Sequence, residues 1–146
     1  MRVVRVSALF AAVTVALAVP LAVLAGGSGK RQAAPTFAFG RTGGNIAPTK
    51  VLIGKDGRVT TTGAVKVTAT QASLPLRNGL ARLARAEGFF TMPAFTACPG
   101  AHPDVAANFV TVAAFGKSRT VTVHGGCPAA FEELYAVLTA SVGAGP

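Results

Sequence analysis

Tryptophan is absent from the 146 residues, tyrosine occurs once, and histidine and cysteine occur twice each; five acidic residues face fourteen lysines and arginines. Each scarcity closes off a class of function. Single-stranded nucleic acid is bound largely by stacking bases on aromatic side chains along a basic groove. Here that platform is missing, and the basic residues (Lys50, Lys55, Arg58, Lys66, Arg77, Arg82, Arg85, Lys117 and Arg119) are scattered along the chain, so nucleic acid is not the expected partner. Among the five acids, Asp56 belongs to a turn, Glu87 to a helix end, Asp104 to a loop, and Glu132 with Glu133 to a helix start. No two of them are set as general acid and general base. The histidines and serines follow no triad order around a nucleophile elbow. Gly40 to Gly44 is glycine-rich but lacks the lysine of a phosphate loop. The expectation is a chain that is not an enzyme and has no cofactor.

What is present begins with an export segment. Arg2 and Arg5 precede a run, residues 6–24, broken only by Ser7, Thr14 and Pro20. Val23-Leu24-Ala25 then offers small residues at −3 and −1 before Gly26. The run is long enough, beside the roughly 18 residues that raise the question of a transmembrane helix, for residues 1–25 to read as a signal peptide or an N-terminal membrane anchor. Pro20 near the cleavage point favours removal; Lys30 and Arg31 just beyond suit an anchor. No cysteine follows the run to carry a lipid, and no twin-arginine pair is present. The formal charge is +9, of which Arg2 and Arg5 account for two.

Residues 26–35, GGSGKRQAAP, have the composition of a flexible linker. Residues 36–142 then have the length of one domain, and residues 143–146 read as a disordered tail. In an exported domain the two cysteines, Cys98 and Cys127, are expected to pair as a disulfide. Closing residues 98–127 this way would contribute about 3.5 kcal/mol on the chain-entropy estimate. Cys98-x-x-x-His102 and His124-x-x-Cys127 have spacings that would also gather two thiolates and two imidazoles around zinc. The oxidising compartment favours the disulfide, and the metal expectation is none. The spacing is not the C-x-x-C of a redox-active pair.

Thr36 to Phe39 alternates as a first strand, with a glycine-rich turn over Gly40–Asn45. Lys50–Ile53 and Val59–Thr62 flank Lys55-Asp56-Gly57-Arg58, read as a tight primed turn. Ala64 to Thr70 continues as a strand. Ser73 caps a helix with Leu76, Leu80, Leu83 and Ala84 on its apolar side and Arg77, Arg82 and Arg85 on others, ending at Gly88. Phe89 and Phe90 are core anchors, and Ala94 to Asp104 is a loop. Asn108–Phe115 and Thr120–His124 form a hairpin turning at Gly116–Arg119. Phe131, Leu134, Tyr135, Leu138 and Val142 line one face of a last helix that begins at Pro128 and stops at Gly143. The order is strands, helix, strands, helix. The fold class is α+β: an antiparallel sheet of hairpins with two amphipathic helices on one face.

Two stretches carry a family resemblance. Phe39-Gly40-Arg41-Thr42-Gly43-Gly44 resembles the strand and Arg-Ser/Thr-Gly-Gly opening of emfourin-type proteins, small inhibitors of thermolysin-like metallopeptidases. Ala86-Glu87-Gly88-Phe89-Phe90-Thr91-Met92-Pro93 is similar to that family's helix end, and the hairpin Phe109 to Val123 and the closing helix continue the likeness. Small exported actinobacterial proteins resemble the chain in the same way. It departs from the family in its N-terminal segment, in an insertion around Asn45–Ile53 and in its cysteine pair. The resemblance implies a protein-binding domain and, as partner, a secreted metallopeptidase. No contact residues carry over from the family; the turn Arg41, Thr42, Gly43, Gly44 and Asn45 is the expected partner-facing loop, although the same glycines also suit a plain tight turn. The alternative is a non-catalytic cell-envelope interaction module. The expected location is extracellular, or tethered to the outer face of the cytoplasmic membrane through residues 6–24.

Overall fold

A computed structural model of the chain describes residues 33–145. The signal or anchor reading, residues 1–25, and the linker up to residue 32 lie outside the described residues. Strands β1 (Thr36–Thr42), β2 (Thr49–Ile53) and β3 (Val59–Thr62) lead into helix α1 (Leu74–Ala86) and a 3-10 turn, Phe89–Thr91. Strands β4 (Phe95–Ala97), β5 (Ala107–Ala114) and β6 (Lys117–His124) then lead into helix α2 (Ala129–Val142). The six strands form one sheet in the order β3-β2-β1-β5-β6-β4. The class is α+β, but the sheet is mixed: β4 runs parallel to β6, where an all-antiparallel sheet of hairpins was expected. At its centre is a long-range pairing of β1 with β5.

Period-2 burial defines the inner face. Phe37 and Phe39, Val51 and Ile53, Val110 and Val112, and Val121 and Val123 are all buried, while Ala38, Leu52, Thr111 and Thr122 between them are not. The buried set meets Leu80 and Ala84 of α1 and Phe131, Leu134 and Leu138 of α2, so both helices lie on one face. Phe131 stacks on Tyr135, which meets Phe39 edge-on.

Local corrections follow from hydrogen bonds that sequence patterns do not display. β1 continues through Gly40, Arg41 and Thr42, all placed in a turn by composition. Gly40 is needed there because a Cβ would lie 2.0 Å from the Thr49 carbonyl oxygen of β2. The β2–β3 connection is not a primed turn. Gly57 N–H closes on Gly54 O at 3.0 Å and Gly57 alone takes positive φ, +85°, the pattern of a three-residue loop with a glycine bulge. The β5–β6 turn is Phe115-Gly116, not Gly116–Arg119, with Ala114 paired to Lys117.

Residues 64–70 are not a strand. Thr68 N–H and Ala69 N–H both donate to Val142 O at 3.1 Å, satisfying a carbonyl at the C-terminus of α2. The tail expected from Gly143 onward is held in the same way, with Lys66 and Gly145 exchanging backbone bonds of 3.1 and 3.0 Å. The loop Ala94–Asp104 contains β4. Pro128 is the N-cap of α2 rather than its first helical residue. Ser73 does cap α1, its Oγ accepting from Leu76 N–H at 3.3 Å. The buried side of α1 is Arg77, Leu80, Ala81 and Ala84, so Arg77 faces inward, not to solvent. Cys98 and Cys127 are joined by a disulfide.

Candidate functional site

At the Thr42 end of β1 the chain leaves the sheet and stays exposed from Arg41 through Pro48. Exposure here does not mean looseness. β1 and β2 pair as far as Arg41 against Thr49, and Thr42 pairs with Ala107 of β5. Gly44 takes φ +60°, and a Cβ on it would lie 2.6 Å from both the Asp104 oxygen and the Ala106 nitrogen, so the loop rests against residues 104–106. Asn45 N–H donates to Asp104 O at 3.2 Å. The support is itself held, because His124 Nε2 lies 2.7 Å from Val105 O. Two aliphatic side chains stand out on this surface, Ile46 at 39% and Val105 at 50% exposure.

Behind the loop is a cleft of about 270 Å³, walled by Arg41, Ile46, Thr49, Val65, Tyr135 and Thr139. Arg41 and Glu132 both act on the Tyr135 phenol. Burial pushes its pKa up from the ordinary value, Arg41 pulls it back, and Glu132 adds to the rise. The cleft thus presents one guanidinium, one phenol and two hydroxyls between apolar walls.

Arg41 and Thr42 therefore end β1, with Arg41 on the cleft wall, while Gly43, Gly44 and Asn45 form the exposed turn. Ile46, Val105 and Tyr135 were not singled out as site residues. Ile46 and Val105 are apolar residues in polar loops, a faint signal, and only the fold brings their two segments together. The histidines weighed as zinc ligands have other roles: His102 lies 3.6 Å from Asp104 on the surface, and His124 holds Val105. The thiols that a zinc site would need are joined to each other. Among the described residues, no group of three or more His, Cys, Asp or Glu is placed to hold a metal ion, and no helix is long and apolar enough to cross a membrane.

Comparison with known proteins finds no matching family model, no similar curated protein and no similar solved structure.

Proposed function

We propose that this is an exported protein-binding domain that inhibits an extracellular thermolysin-like metallopeptidase through the loop at residues 43–48. One observation carries the reading: the loop is exposed along its length yet fixed at both feet and pinned through Asn45 to Asp104. A segment already held in its bound shape loses little conformational entropy on association, and this saving separates tight binders from weak ones of equal area. Ile46 and Val105 give the loop an apolar centre, and Arg41 gives its inner side a cation. The Cys98–Cys127 disulfide suits an oxidising compartment.

The test is a titration of a thermolysin-type peptidase with the protein as its host exports it. Inhibition is expected, and Ile46→Asp should weaken it roughly thirtyfold, the size of a moderate hot spot, with no change in melting temperature. An unimpaired peptidase at micromolar protein, or full inhibition by the variant, would refute the reading. A role in the cell envelope draws on a different observation, the distribution of charge.

A further inference from the structure

The cations are not spread evenly over the folded domain. Strand register places Thr36, the β2–β3 turn and the β5–β6 turn at one end of the sheet, since Phe37 pairs with Ile53, Ile53 with Val59, and Thr36 with Ala113. Helix α1 lies along the same end. Near its start Arg77 reaches Pro35, Gly54 and Lys55, and at its last turn the Arg85 guanidinium stacks 3.4 Å over the Phe115 ring. Five exposed cations gather here, Lys55, Arg58, Arg82, Arg85 and Lys117, against Asp56 and Glu87. Over the remaining surface Arg41, Lys50 and Lys66 are balanced by Asp104, Glu132 and Glu133. Arg77 and Arg119 are engaged with backbone carbonyls, Arg119 with that of Met92. Among the described residues, the excess of positive charge outside the core is thus confined to one end.

Apolar groups sit among these cations. Leu74 is 49% exposed, and Phe90 and Phe115 are half-buried and meet edge-on. Phe115 has φ +56° at the first position of a two-residue turn, where glycine or asparagine is at ease and a bulky side chain is strained. The ring packs against the core and Phe90 and carries the Arg85 guanidinium on its face, which keeps that cation at this end. The chain also enters the domain here: Thr36 lies at this end, and by sequence the apolar run of residues 6–24 precedes it across the linker.

We infer that this basic, aromatic end docks on the surface of a bilayer containing anionic phospholipid. Lysine and arginine meet lipid phosphates, while the exposed Leu74 sits at the headgroup boundary, the mixture that interfacial segments use. The inference is independent of the peptidase reading, because the loop at residues 43–48 lies at the opposite end of β1. It also holds whether or not residues 1–25 are removed: a retained segment would tether the domain from this end, and a released domain would still carry the same charges.

The lysines provide the test, two on the proposed face and two off it. The full chain from its host is acetylated in the presence of vesicles of phosphatidylcholine alone or with about one-third phosphatidylglycerol, and labelling is read by mass spectrometry. Lys55 and Lys117 should label roughly threefold more slowly on the anionic vesicles only, and recover at about 0.5 M salt, where the attraction is screened. Lys50 and Lys66 should label alike in all samples. Equal labelling of the four lysines, equal protection by both lipids, or protection of Lys50 and Lys66 would overturn the inference.

Discussion

Replacing Arg77 with methionine should destabilise the domain by roughly 3 kcal/mol, although the side chain touches no acid and lies far from the exposed loop. Arg77 is 5% exposed. Its Nη1 donates to three carbonyls: Pro35 at 3.3 Å, Gly54 at 3.4 Å and Lys55 at 2.8 Å. These come from the start of β1 and the β2–β3 turn, so one guanidinium ties both to α1. Methionine would fill much of the same volume but leave the Pro35 and Lys55 carbonyls without this donor, while Gly54 O keeps its bond from Gly57 N–H. A fully buried acceptor stranded in this way costs about 1–3 kcal/mol. The bond to Lys55 is only part-buried, and water would recover some of that, which sets the expected loss below two full penalties. At about 4 °C per kcal/mol for a domain of this size, melting should fall by about 12 °C. Arg77→Lys keeps a cation but loses reach, and should fall between the two. Hydrogen exchange should quicken first at Gly57 N–H, which bonds to Gly54 O. A methionine variant as stable as the parent would mean that apolar packing replaces the guanidinium, as happens at some buried ionic sites, and that Arg77 is not a clamp.

Arg77 also shows why the sequence was readable only in part. Leu76, Leu80, Leu83 and Ala84 mark a helix, and a helix is there. The side that is buried, however, is rotated to Arg77, Leu80, Ala81 and Ala84. An arginine belongs on that side only because carbonyls 22, 23 and 42 residues upstream converge on it, and no local pattern carries that information. The same distinction runs through the fold. The β5–β6 hairpin, the Ser73 cap and the glycine at the end of α2 are local in the sequence, and they are where the pattern put them, apart from the shift of the hairpin turn. β4 is three residues between prolines, and its parallel partner lies beyond β5. Residues 64–70 have the valine and threonine of a strand, yet the α2 carbonyl at Val142 takes their N–H groups instead. At the candidate site, the Gly43-Gly44 turn was visible. Its apolar residues were not, because the segments that carry Ile46 and Val105 come together only when residues 104–106 fold against Gly44.

Reducing the Cys98–Cys127 disulfide should have the largest effect on the whole domain, about 15 °C in melting temperature. The cross-link spans 29 residues, and freeing a segment of that length in the unfolded chain costs about 3.5 kcal/mol, which converts at about 4 °C per kcal/mol. Cys98→Ala with Cys127→Ala should reproduce the drop without reductant, since Cys98 is buried and a serine there would add an unmet hydroxyl. The loss should also have a place. Cys98 follows β4, an edge strand that pairs with β6 over three residues only. Without the bond, exchange should accelerate at Cys98 N–H, which donates to His124 O at 2.8 Å, and at Thr122 N–H, which donates to Ala94 O at 2.9 Å. From there the effect reaches the loop. Residues 98–106 carry the Asp104 carbonyl that holds Asn45 and the Val105 carbonyl that faces His124. A strap loosened at Cys98 should therefore release the loop at residues 43–48, and peptidase inhibition should weaken under reductant below the melting temperature, while the domain is still folded. Inhibition that survives reduction at such temperatures would show that the loop is held by β1 and β2 alone, and that the cysteine pair serves stability without serving the contact surface.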